Sequence, residues 1–179
     1  MDRPPETMSN AAVTLRRWRA ADAELSYRLV RESLEHLMPT MAWATADYSL
    51  DSAADFVARC EANWADGEAF QYAIYMDGEP VGSAGLMAQI GSGGLEIGYW
   101  VHPAWTGRGV ATSAAAALTD AALALPSIDR VEIHHDVLNP ASGRVPAKLG
   151  FTFITEMPTD PAIIAPADSG TSRVWRITR

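Results

Sequence analysis

The sequence predicts one α/β (α+β) domain, built on a mixed, mostly antiparallel sheet of seven strands flanked by about four helices in the order βααβββαβαββ. Three observations carry that expectation. Asp77-Gly78 lies between two apolar runs and has the chemistry of a tight hairpin turn. The glycine-rich stretch 91–94 supplies a second turn, so three antiparallel strands follow one another. The Ala/Leu-rich run 110–125 then joins strand 95–101 to strand 130–136, a crossover long enough to make that pair parallel.

The first eleven residues have no apolar h-region, which excludes a signal peptide and reads as a flexible tail before a domain spanning 12–179. Residues 12–17 (AVTLRR) form the first strand. From about Asp22, a plausible N-cap, Leu25, Leu29, Val30, Leu34 and Leu37 recur at helical spacing. Met38-Pro39-Thr40-Met41-Ala42-Trp43 interrupts that helix, and its large side chains read either as core or as an adaptable lip over a pocket. A second helix begins near Asp51, with capping-box spacing in Ser52-Ala53-Ala54-Asp55 and an apolar stripe of Ala53, Phe56, Val57, Cys60 and Trp64. Strands 70–76 and 79–88 flank the Asp77-Gly78 turn. After strand 130–136 come a helix over 139–149, a strand over 151–157, a surface loop over 158–170 rich in Pro, Ala and Asp, and a last strand over 172–178.

A chain of 179 residues, 48% hydrophobic and 20% charged, can bury a real core. The net charge of −8 argues against nucleic acid or an anionic membrane surface as partner. Cys60 is the only cysteine and lies on a buried stripe, so it reads as a core thiol, and the chain has no intramolecular disulfide and no cysteine metal cluster. No His/Asp/Glu spacing resembles a metal site. A cytoplasmic location is the default expectation.

The stretch LEIGYWVHPAWTGRGVAT carries chemistry. A strand breaks at His102-Pro103 and is followed by Gly107-Arg108-Gly109 and a helix N-terminus, which are the parts of an anion site. Three readings compete: a glycine turn that binds nothing, a dinucleotide fingerprint whose third glycine would be Thr112, and a pyrophosphate loop. A second informative stretch runs from Asn139 to Phe151. Asn139 caps a helix, Pro140 suits its first position and Gly150 the residue after its end. Pro146 in mid-helix and Gly143 have no such local explanation.

Thr106-Gly107-Arg108-Gly109-Val110-Ala111 resembles the pyrophosphate loop of the GNAT acyltransferases, Gln/Arg-x-x-Gly-x-Gly/Ala, with Thr106 in place of the usual first residue. N-x-x-S-x-x-V-P-x-K-L-G-F at 139–151 resembles the second motif of the RimJ/RimL-type N-acetyltransferases of that superfamily, which also carry the mid-helix proline. The resemblance covers about residues 12–178.

It implies the GNAT fold and acetyl-CoA as cosubstrate. Backbone amides of Gly107, Arg108, Gly109, Val110, Ala111 and Thr112 would hold the pyrophosphate. Trp100 and Val101 would pair with the pantetheine amides in a gap between strands 95–101 and 130–136, Asn139 would reach the same arm, and Arg108, Arg144 and Lys148 could meet CoA phosphates. Ser142 would supply a proton to the departing sulfur, and Glu96 is the expected base, with His134, His135 and Asp136 as alternatives. Met38, Met41, Trp43, Tyr99 and His134 are the candidate acceptor contacts, and specificity falls to segments 34–48 and 158–170. His36 and His102 read as structural. The implied reaction is direct acetyl transfer to a primary amine of a protein N-terminus, peptide or small aminoacyl compound, by a monomer or homodimer. Deprotonating an α-amine at pH 7 costs about 1.4 kcal/mol against about 4.6 for lysine, which favours the former. An antibiotic- or toxin-modifying enzyme and a non-catalytic CoA sensor are the alternatives.

Overall fold

The computed structural model describes residues 2–179. Its elements are β1 (Thr7–Asn10), β2 (Val13–Arg17), α1 (Ala23–Leu37), α2 (Leu50–Asp66), β3 (Ala69–Met76), β4 (Glu79–Met87), β5 (Gly94–Val101), α3 (Val110–Ala124), β6 (Arg130–Asp136), α4 (Pro140–Lys148), β7 (Thr152–Pro158) and β8 (Thr171–Thr178). They form a single sheet in the order β1-β2-β3-β4-β5-β6-β8-β7. Every neighbouring pair is antiparallel except β5 and β6, as the long crossover requires.

The sheet has eight strands where the sequence predicted seven. The addition is β1, in the stretch read as a flexible tail. It pairs with β2 from Thr7↔Arg16 to Asn10↔Val13 across a turn at Ala11 (φ 49°). Met8 turns onto the main core, the Tyr72 hydroxyl donates to the Pro5 carbonyl (2.8 Å), and Glu6 pairs with Arg17 (2.8 Å) and Arg19 (2.6 Å). One apolar residue in four cannot display a strand period, so the pairing is legible only once β2 has an unfilled edge.

The hairpin at Asp77 (φ 52°) and Gly78 (φ 78°) has both central residues left-handed, as a two-residue primed turn demands. The cap of α2 falls one turn before the predicted box: Ser49 Oγ accepts from the Ser52 amide (3.2 Å) and Ser52 Oγ from the Ser49 amide (3.1 Å). Ala53, Val57, Cys60 and Trp64 on α2 are buried as the stripe predicted, and burial pushes the Cys60 thiol up to about 12.

Two layers cover the sheet. On one face α3, buried through Val110, Ala114, Leu118 and Ala122, packs on Leu95, Ile97, Val131 and Ile133. On the other, α1 and α2 lie over β3 and β4, with Trp18, Leu29, Val57 and Cys60 gathered around Ala73. Among the described residues no helix is long and apolar enough to cross a membrane.

Candidate active site

Between β5 and β6 the sheet opens. Their pairing runs only from Gly94↔Arg130 to Ile97↔Ile133. Beyond that point β5 stays with β4 as far as Val101↔Gly82, and β6 stays with β8 as far as Asp136↔Ser172. The two parallel strands diverge toward their carboxyl ends, and α3 and α4 begin just after those ends. A crevice outside the carboxyl ends of parallel strands, faced by helix N-termini, is where α/β sheets bind ligands.

At the head of α3, Gly107 and Gly109 both have φ 75°. A Cβ at either would meet nothing within 4 Å, so glycine is required by backbone conformation and the space outside is open. The first helical bond runs from the Ser113 amide to the Gly109 carbonyl (2.9 Å), leaving the amides of Val110, Ala111 and Thr112 without an intrahelical acceptor. The Val110 side chain is buried and anchors this turn to the core. Arg108 is exposed and its guanidinium lies 4.6 Å from the Trp105 ring centroid, which poises its charge beside the loop. Thr106 spends its hydroxyl on the Pro103 carbonyl (3.0 Å), holding the turn before the loop. His102 is structural as predicted: its Nδ1 accepts from the Ala104 amide (3.0 Å).

Which main-chain groups face the opening follows from the ladder. The His102 amide donates to the Val81 carbonyl directly opposite (2.7 Å), so by antiparallel alternation Trp100, Gly98 and Glu96 spend their main-chain groups on β4. Tyr99 and Val101 turn theirs toward β6 and the gap. Of the predicted pair Trp100 and Val101, Val101 is an open strand position and Trp100 is not; the other open position is Tyr99, and the Trp100 side chain packs on the opposite face near Trp43.

In α4, Asn139 Oδ1 accepts from the Ser142 amide (3.3 Å), fixing the first turn. Pro146 has no amide to give the Ser142 carbonyl four residues earlier, and the Tyr99 hydroxyl donates to that carbonyl instead (2.8 Å). Tyr99 therefore points to the α3/α4 side, away from the acceptor contacts with which it was grouped; burial raises its phenol well above the ordinary range. Gly143 is explained by close approach, since a Cβ there would lie 2.8 Å from His135 Nε2. His135 is enclosed, with Nδ1 donating to the Asp136 carbonyl (2.9 Å) and Nε2 accepting from Trp175 Nε1 (3.0 Å), so it is no base. Asp136 is likewise engaged by Ser169 and the Leu138 amide. Lys148 and Arg144 are exposed.

The opposite sheet face carries Glu96, Trp100, Glu132 and His134, since Glu96 and Glu132 are register partners and side chains alternate. Gln89 Nε2 donates to Glu96 Oε2 (2.8 Å), and His134 Nδ1 lies 3.7 Å from the same oxygen. His134 Nε2 is 2.7 Å from Glu132 Oε2, while Arg176 reaches Glu132 Oε1 through Nε (2.8 Å) and Nη2 (2.6 Å). Burial pushes the Glu132 carboxyl up, but the bonds from His134 and Arg176 outweigh it and hold the group below the usual carboxylate range. Glu132 and Arg176 were missed in the sequence. Alternation along Arg130-Val131-Glu132-Ile133-His134 would have put Glu132 beside His134, but Arg176 depends on the insertion of β8.

Trp43 packs 6.3 Å from Trp100 between ring centroids, and Met38 and Met41 join the cluster in which Trp100 also takes part. The two segments expected to set specificity meet: the Ala167 amide donates to the Pro39 carbonyl (2.8 Å), and Met38, Met41, Ala44 and Pro166 line a depression of about 480 Å³ there.

Residues 12–152 match the acetyltransferase (GNAT) domain family. The chain belongs to the GNAT acetyltransferases. No curated protein matches it by sequence. Among solved structures it shares its fold with RimL, the ribosomal L7/L12 α-N-protein acetyltransferase in complex with coenzyme A (TM-score 0.86, 21% identity, 97% of this chain and 98% of that one). It is similar to the microcin C7 self-immunity acetyltransferase MccE in complex with acetyl-CoA and AMP (TM-score 0.85, 20% identity, 95% and 94%). It is also similar to Mycobacterium smegmatis RimJ in complex with CoA-disulfide (TM-score 0.82, 24% identity, 96% and 85%). At these identities the likeness is one of fold.

Proposed function

We propose that this GNAT acetyltransferase uses acetyl-CoA to acetylate a primary amine, with the α-amine of a protein, peptide or small aminoacyl compound as the preferred class. The observation that carries the reading is the pair of left-handed glycines, Gly107 and Gly109, presenting the unpartnered amides of Val110, Ala111 and Thr112 where β5 and β6 diverge. Backbone donors and the positive end of α3 suit a diphosphate. Arg108 would add charge there, with Arg144 and Lys148 available to further phosphates, and the open main chain of Tyr99 and Val101 suits an extended arm carrying amides. Asn139 and Ser142 stand at the head of α4 beside that path. When bound, the cosubstrate supplies an activated acyl group.

On the other face Glu96 receives the acceptor amine, whose proton passes to a general base there, and Ser142 gives a proton to the sulfur as it leaves. Positioning provides much of the acceleration, because an α-amine is mostly within reach of its neutral form at pH 7. RimL and MccE, which share this fold, are described as acting on a ribosomal-protein α-amine and in microcin immunity. Acetyl-CoA thermal shift together with free-thiol release over a panel of α-amines, lysine ε-amines and aminoacyl compounds tests the proposal. Thiol release above the hydrolysis background with an α-amine supports it. Binding without turnover of any amine would make this a CoA-binding sensor.

A further inference from the structure

The imidazole of His134 is fixed between two carboxylates, and the two contacts are unequal. Nε2 sits 2.7 Å from Glu132 Oε2, a hydrogen bond, whereas Nδ1 sits 3.7 Å from Glu96 Oε2, too far for one. Glu132 is only 4% exposed and is held on its other oxygen by Arg176 at 2.6 Å. A carboxylate only accepts, so Nε2 carries a hydrogen, and in the neutral tautomer that this contact selects Nδ1 is the bare nitrogen and faces Glu96. Two acceptors face each other across 3.7 Å. Glu96 Oε2 already accepts one hydrogen from Gln89 Nε2 (2.8 Å), and a primary ammonium nitrogen about 2.9 Å from Oε2 and from Nδ1 would give that oxygen a second and bridge it to the imidazole. The side chains of Glu96 and His134 are 14% and 20% exposed, so both can be reached from outside.

We propose that Glu96 and His134 hold the acceptor ammonium as a two-point clamp, and that His134 is the group on which its proton comes to rest, oriented by Glu132 and Arg176. This rests on the reading of the site as one for amines. The chemistry favours the imidazole. Passing a proton from an ordinary α-ammonium to an ordinary carboxylate is uphill by about 3,000-fold, and to an ordinary imidazole by about 20-fold. The charged groups facing His134 are Glu96 from β5, Glu132 from β6 and, through Glu132, Arg176 from β8, with Arg130 Nε 4.0 Å from Glu132. Both guanidiniums lie on the far oxygen of Glu132, so the imidazolium, once formed, meets a carboxylate at each ring nitrogen. The bookkeeping of the step is simple. The ammonium gives one proton to Nδ1, and the freed nitrogen lone pair forms the C–N bond as the C–S bond breaks. The sulfur leaves with the bonding pair and takes the second nitrogen proton by way of Ser142, while the imidazolium proton passes to water. Glu132 and Arg176 are positioning residues, since neither touches the amine.

The test reads His134 directly by ¹⁵N-histidine NMR at about pH 8, where an ordinary imidazole is neutral. The wild-type protein is expected to show a protonated Nε2 and a bare Nδ1. Methylammonium chloride should move the Nδ1 resonance, and tetramethylammonium, of equal charge but with no N–H, should leave it in place. Glu96→Gln should weaken the methylammonium response about tenfold, and Glu132→Gln should mix the two tautomers. With any amine that turns over, His134→Gln should lower kcat by about 100-fold or more while acetyl-CoA still binds. A hydrogen on Nδ1 in the wild type, or equal responses to the two cations, overturns the clamp. Failure of acetyl-CoA to bind, measured separately by thermal shift, would instead remove the acetyltransferase reading and leave the His134 result standing.

Discussion

Replacing Tyr99 with phenylalanine removes one oxygen and keeps the ring, so no cavity opens. What is lost is the donor to the Ser142 carbonyl, at 2.8 Å. In an ordinary helix that carbonyl would accept from the amide four residues on, but the residue there is Pro146. With neither donor, a partly buried carbonyl stands unsatisfied at a cost of about 1–3 kcal/mol. The reasoning is sharpened by a cycle. Pro146→Ala restores an amide at the right place, so Tyr99→Phe made in that background should cost only about 0.5 kcal/mol, the remainder being a coupling of about 0.5–2.5 kcal/mol between two residues that do not bond to each other. Urea denaturation of the four proteins measures it. An equal cost of Tyr99→Phe in both backgrounds would refute the idea that the hydroxyl stands in for the missing amide.

Three further outcomes follow from the geometry. Gly109→Ala meets no atom within 4 Å but must hold φ 75°, so it should cost about 1–2 kcal/mol by denaturation and weaken acetyl-CoA binding in calorimetry, whereas a sterically driven loss would be larger. The Glu132 carboxyl is held below its ordinary 4.5 in the folded state, so its contribution is fully present above that pH and is lost as pH falls through the lowered value; Arg176→Gln should flatten the acid side of a stability–pH curve. Because burial pushes Cys60 up to about 12, it should resist iodoacetamide in native protein at about pH 8 and react in urea.

Much of this arrangement could be read beforehand, for identifiable reasons. The hairpin at Asp77-Gly78 and the buried stripe of α2 follow from local rules that tertiary context did not override. Gly107 and Gly109 were legible because a left-handed backbone leaves glycine as its signature. What escaped reading depends on pairing. β1 has a single apolar residue and becomes a strand only because β2 offers an edge. The parity that gives Tyr99 and Val101, rather than Trp100, the open main-chain groups is set by one bond, from His102 to Val81. The Glu132–Arg176 contact needs β8 to lie between β6 and β7, which no spacing along the chain records. Gly143 and Pro146 did announce themselves as local misfits, and each marks a contact made across the fold, with His135 and with Tyr99.

The binding claim is tested most directly by titrating ¹⁵N-labelled protein with coenzyme A and following backbone amides. The largest shifts are expected at Gly107 through Thr112, with Tyr99 and Val101 next and Trp100 small. Shifts confined to other surfaces, or none at millimolar coenzyme A, would contradict the assignment of that turn as the diphosphate cradle.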